Sequence, residues 1–111
     1  MLLSDLFGSE TAEKVLLYMQ NYGSGYPQGV ATVFGIRITP VQRQLEKFEI
    51  GGILASRLIG RTRQYQWNPR YAFQTELRLL LKKALSSLPE DYQKKYFRER
   101  SRPRRKGKPL P

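Results

Sequence analysis

Glycines cut residues 31–69, ATVFGIRITPVQRQLEKFEIGGILASRLIGRTRQYQWNP, into segments of different hydrophobic period, and this constrains the fold more than anything else in the chain. Gly35 closes a short helix predicted over 28–34, on which Val30, Ala31 and Phe34 share one face. Gly51-Gly52 closes a longer helix predicted over 40–50, with Val41, Leu45 and Phe48 at i, i+4, i+7. Thr39 is the expected N-cap of that helix, ahead of Pro40 at its first position. Beyond the glycine pair the residues turn branched and aromatic, predicting strands over 53–59 and 64–67. Gly60-Arg61-Thr62-Arg63 links them and Asn68-Pro69 ends the second. Helix, turn, helix, hairpin is the order of a winged helix-turn-helix.

Two longer amphipathic segments flank this unit. Ser9 is an expected N-cap, with Glu10 and Glu13 in a first turn where carboxylates suit the helix dipole. Ala12, Val15, Leu16 and Met19 then form one stripe, and Leu3, Leu6 and Phe7 a smaller patch upstream. Gly23-Ser24-Gly25-Tyr26-Pro27 reads as a turn. A helix is predicted over 72–88, with Phe73, Leu77, Leu80, Leu81, Ala84 and Leu88 facing inward. The expected fold class is therefore mainly α with a small β-hairpin (α+β), a winged helix-turn-helix over 1–88 with an extra C-terminal helix. Residues 89–111 are expected to form a basic, disordered tail.

Charge narrows the partners. Twenty Lys and Arg oppose nine Asp and Glu, a net charge of +11 that favours a polyanion. Residues 1–97 carry 13 basic and 8 acidic residues, net +5, while 98–111 carry 7 and 1, net +6. Most of the excess thus lies in the tail, and the charge of the folded part must be judged by placement. The chain has no cysteine and no histidine, which excludes disulfides, thiolate metal sites and histidine acid–base chemistry. No carboxylate is placed with a histidine, cysteine or glycine-rich phosphate loop, so no enzyme, cofactor or metal is expected. The opening Met1-Leu2-Leu3-Ser4-Asp5 lacks the features of a signal peptide, and no apolar run approaches the roughly 20 residues that span a bilayer. A cytoplasmic, nucleoid-associated protein is the expectation.

The outward face of the helix at 40–50 carries Gln42, Arg43, Glu46 and Lys47, with Gln44 on its flank. Glutamine can bond adenine and arginine guanine through two hydrogen bonds each, worth roughly 1–3 kcal/mol of discrimination. Gln42 and Arg43 are the candidates for base contact, with Thr39 at the N-terminal end; Gln44, for base or phosphate, and Arg37 are further candidates for DNA contact. Lys47, one turn on, is expected on phosphate. Arg61, Thr62 and Arg63 at the hairpin turn, with Arg57 on the opposing strand, are the candidates for the adjacent backbone or minor groove. Tyr65 and Trp67 alternate onto one strand face and are expected in the core. Arg102, Arg104, Arg105 and Lys106 in the tail are expected to add sequence-independent affinity.

These motifs resemble the winged-helix domain of ArsR-type regulators. Val33-Phe34-Gly35-Ile36 matches the family's interhelical turn, 41–48 its recognition helix, Gly52-Ile53-Leu54 the helix exit, and 60–69 its wing pattern GRxxxYxxNP. The likeness is greatest to the subgroup related to nucleotidyltransferase-associated regulators, where VQRQLE recurs and 76–81, ELRLLL, has a counterpart. It covers roughly residues 6–85 and takes in Leu6-Phe7-Gly8-Ser9. Arg37 stands where the family usually has a capping serine, and the metal-sensing cysteines and histidines are missing, so neither metal sensing nor transferase activity carries over. The resemblance implies a homodimer formed through the helix at 72–88 and the N-terminal helix. Such a dimer would bind DNA half-sites about 34–36 Å apart.

The expectation is a sequence-specific regulator of transcription bound to double-stranded DNA. Two alternatives stay open: an architectural or mobile-element accessory protein with little base discrimination, and a winged-helix module that binds RNA or protein.

Overall fold

A computed structural model of the chain describes residues 2–98. Six helices and three short strands follow in the order α1 (Ser4–Phe7), α2 (Glu10–Tyr22), β1 (Ser24–Gly25), α3 (Pro27–Phe34), α4 (Ile38–Ile50), β2 (Leu54–Ile59), β3 (Thr62–Trp67), α5 (Gln74–Ser87) and α6 (Glu90–Tyr96). The strands make one antiparallel sheet of order β1-β3-β2. The fold is mainly helical with a small sheet, a winged helix-turn-helix carrying extra C-terminal helices.

α2 is the central post. Ser9 caps it by accepting from the Ala12 amide at 3.0 Å. Its buried Val15, Leu16, Leu17 and Met19 meet Val30 of α3, Val41 and Leu45 of α4, Leu54 of β2 and Leu81 of α5 in one core. Fully burying a Leu- or Val-sized side chain stabilises by about 1.5–3 kcal/mol, so this shared contact fixes where each helix lies. Glu13 lies in the first turn as expected but is fully buried, and its Oε2 accepts from the Leu3 amide at 2.8 Å.

The connection between α3 and α4 is tighter than the cap assignment implied. Gly35 takes a left-handed φ of 65° while its amide and that of Ile36 bond back to Thr32 and Ala31. Helix α4 then begins at Ile38 with Arg37 at its N-cap, and no side chain caps it. Thr39 is thus a first-turn residue and not the cap. The half-buried Ile38, packed against the core, draws the helix start forward. Pro40 is tolerated at the third helical position because first-turn amides have no intrahelical acceptor to lose.

The hairpin is also displaced from its expected bounds. The Ile53 amide bonds to the Phe48 carbonyl, closing α4, so β2 starts at Leu54. Ile59 pairs directly with Thr62, leaving only Gly60 and Arg61 in the turn, with Gly60 at φ 63°. Asn68 locks the far end: its side-chain amide donates to the Gly52 carbonyl at 2.9 Å and its own carbonyl accepts from the Gln74 side chain at 2.7 Å. Turns over 68–73 delay the C-terminal helix to Gln74. Only its Leu77, Leu81, Ala84, Leu85 and Leu88 reach the core. Phe73 and Leu80, expected inside, are 63% and 37% exposed: the main helix packing of α5 is against α2, on the side of Leu81 and Ala84.

The stretch expected as tail from residue 89 opens instead with α6. Phe97 is buried, Phe34 lies 5.2 Å from the Tyr96 ring and 5.7 Å from that of Phe97, and Tyr22 donates its hydroxyl proton to the Tyr96 carbonyl at 2.7 Å. The sequence has no helical stripe here; two aromatic residues finding Phe34 hold the segment.

Candidate nucleic-acid interface

Because Val41, Leu45 and Phe48 are buried, the 3.6-residue period turns Gln42, Arg43, Glu46 and Lys47 to the surface, and all four are exposed. Arg37 and Thr39 are exposed at the N-terminal end of α4. Among the described residues, no hydrogen bond or ion pair engages the side chains of Arg37, Gln42, Arg43, Lys47, Arg57 or Arg61. Gln44 does not join the row. It is half-buried, and its Oε1 is enclosed with no hydrogen-bond partner among the described residues.

Strand parity sorts the hairpin residues into two sets. Leu54 faces Trp67, Ser56 faces Tyr65 and Leu58 faces Arg63, all on the side turned to the helices. Arg57 pairs with Gln64 on the other side of the sheet, so it does not converge with Arg63. Arg61 and Thr62 stand exposed at the tip. Tyr65 and Trp67 are 4% and 8% exposed, as their alternation predicts. The Trp67 indole donates to the Met19 carbonyl at 3.3 Å, and the Arg78 guanidinium lies over the ring at 5.5 Å.

A hydrogen-bond chain ties the hairpin to α4. Arg63 Nη1 donates to Ser56 Oγ at 3.0 Å, and Ser56 donates its proton to Glu49 Oε2 at 2.6 Å. This is charge-assisted at both ends, the stronger kind of hydrogen bond. It fixes the wing against the end of α4 and holds Arg63 at a set height. Burial, with Glu49 and Glu46 nearby, pushes the Tyr65 phenol above its ordinary value of 10.0 against the opposing effect of Arg63. The phenol therefore stays neutral throughout the physiological range.

Between α4 and the wing runs an open groove of about 380 Å³. Gln28, Ile38, Gln42 and Glu46 line one wall; Leu58, Arg61, Thr62, Arg63 and Tyr65 line the other. The fold thus brings together Gln42, Arg61, Thr62 and Arg63, with Arg43 and Lys47 exposed on the same helix. It leaves Arg57 and Gln44 apart. Arg102, Arg104, Arg105 and Lys106 lie outside the described residues. Sequence reasoning passed over Gln28, Ser56 and Glu49, and placed Glu46 on the outward face without giving it a role. Counting parity outward from buried Leu54 and Tyr65 would have put Ser56 with Arg63, but only with the two-residue turn known.

Among the described residues no group of His, Cys, Asp or Glu could hold a metal ion, and no helix is long and apolar enough to cross a membrane. No protein-family model matches the chain. No curated protein matches it in sequence either. The X-ray crystal structure of the YusO protein from Bacillus subtilis is similar in fold, with a TM-score of 0.56 at 18% identity, over 80% of this chain and 70% of that one. At that identity the likeness speaks for the fold alone.

Proposed function

We propose that this chain is a sequence-selective, double-stranded-DNA-binding regulator of transcription of the ArsR-like winged-helix type, acting in the cytoplasm on the nucleoid. Helix α4 enters the major groove, and the wing rests on the adjacent backbone or minor groove. One observation carries this: among the described residues Gln42, Arg43 and Lys47 stand unpaired on the exposed face of α4, beside a groove whose far wall bears Arg61 and Arg63. A helix and a hairpin set side by side match the major groove and its neighbour across one phosphate strand. Gln42 and Arg43 supply base readout, Arg37 and Thr39 the helix end, and Lys47, Arg61, Thr62 and Arg63 anchorage. The basic residues after Arg98 add salt-sensitive affinity. The protein works as a homodimer, with Phe73, Leu79 and Leu80 and the N-terminal Leu2 and Leu6 supplying exposed apolar surface.

Selection from a random duplex pool, followed by titration of selected duplex, random duplex and RNA across a salt series, tests this. A selected site bound at least about tenfold more tightly than random duplex supports the regulator. A smaller ratio leaves an architectural DNA-binding protein, and a preference for RNA removes the DNA reading.

A further inference from the structure

The surface that α4 offers to DNA contains a residue that opposes DNA. Glu46 lies one helical turn after Gln42 on the same face, and both line the groove with Leu58, Arg61 and Arg63. Its side chain is exposed, and among the described residues no ion pair or hydrogen bond neutralises it. Glu49, the other carboxylate at this end of α4, differs because Ser56 occupies it. The charge of Glu46 also reaches the wing, since it helps raise the Tyr65 phenol.

An unpaired carboxylate among arginines has a definite effect on a polyanion. It repels every phosphate that approaches without regard to sequence, so it lowers non-specific affinity. Only an N–H donor on a base edge offsets that repulsion, and in the major groove the cytosine N4 amino group is the donor suited to a carboxylate. One helical turn advances about 5.4 Å, against about 3.4 Å per base step. Gln42 and Glu46 therefore address base pairs one or two steps apart.

We propose that Glu46 is a specificity-determining residue: it accepts a hydrogen bond from a cytosine amino group in the major groove and repels DNA that lacks one there. This rests on the DNA-binding reading above. The test is duplex selection and titration with the full chain and with Glu46→Gln, an exposed and nearly isosteric change whose fold is checked by thermal melting. The wild type should select a site with a cytosine at one position. Glu46→Gln should lose that preference and bind random duplex about three- to tenfold more tightly. Both changes are required. An unchanged site, or random-duplex affinity that stays level or falls, overturns the role of Glu46 while leaving DNA binding intact. If the wild type selects no site over random duplex, the sequence-selective reading itself fails, and this inference fails with it.

Discussion

Gly25 and Tyr65 face each other across the sheet, and each is set by what lies behind it. A Cβ built on Gly25 would stand 2.6 Å from Cε1 of Tyr18, whose ring is itself packed 4.5 Å from that of Tyr22. Gly25→Ala should therefore destabilise by about 1–3 kcal/mol through overpacking. Urea unfolding measures this, and a loss below about 0.5 kcal/mol, the range of an ordinary surface substitution, would contradict the packing. The phenols of Tyr18 and Tyr65 are both raised above 10.0, chiefly by burial. A group whose folded pKa is raised contributes stability that is complete below its unfolded pKa and is lost as pH rises through the folded one. Stability should thus decline with these tyrosines only above about pH 10, and Tyr65→Phe should flatten that alkaline decline in melts taken from pH 8 to 11. An unaltered slope would mean the Tyr65 ring is less enclosed than described. At this scale the sequence was informative about Tyr65 and Trp67 through their alternation. Gly25 was readable only as a turn residue, because its crowding comes from a ring on another element.

At the scale of elements, regular periodicity was legible and end effects were not. The stripes of α2, α3 and α4 each repeat at helical spacing, so their buried faces could be named from residue type alone. The start of α4 escaped because Ile38, packed into the core, competes with Thr39, and local capping preference loses to that burial. Strand β1 escaped because two residues carry no period. The helix α6 is the largest omission: EDYQKKY has no apolar stripe, and it is held by Tyr96 and Phe97 against Phe34, more than sixty residues earlier. Phe97→Ala should accordingly cost about 3 kcal/mol, within the range for truncating a buried aromatic. Protease susceptibility at 89–98 should rise with it. If cleavage there is as slow in the variant as in the wild type, the aromatic contact is not what docks α6.

For the whole molecule, charge turned out less telling than position. The net charge of +11 says only that a polyanion suits the chain, and more than half of it lies after residue 97. What could be read in advance was the face Gln42, Arg43, Lys47 and the basic wing. The groove between them, with Glu46 inside it and the Arg63–Ser56–Glu49 chain behind it, depends on the hairpin register and could not. The proposed homodimer belongs to this scale as well. Leu80→Glu on the exposed side of α5 should shift sedimentation toward the monomer and weaken binding to a two-half-site duplex more than to a single half-site. An unchanged sedimentation profile would move the interface elsewhere. If α4 reads bases while the wing anchors, titrating selected and random duplex with two variants separates the two roles. Gln42→Ala/Arg43→Ala should lose at least about tenfold of the preference for the selected duplex and bind random duplex nearly as before. Arg61→Ala should weaken both duplexes alike and reduce the salt slope by about 0.9. If the two variants behave indistinguishably, or neither alters binding, α4 is not the reading helix.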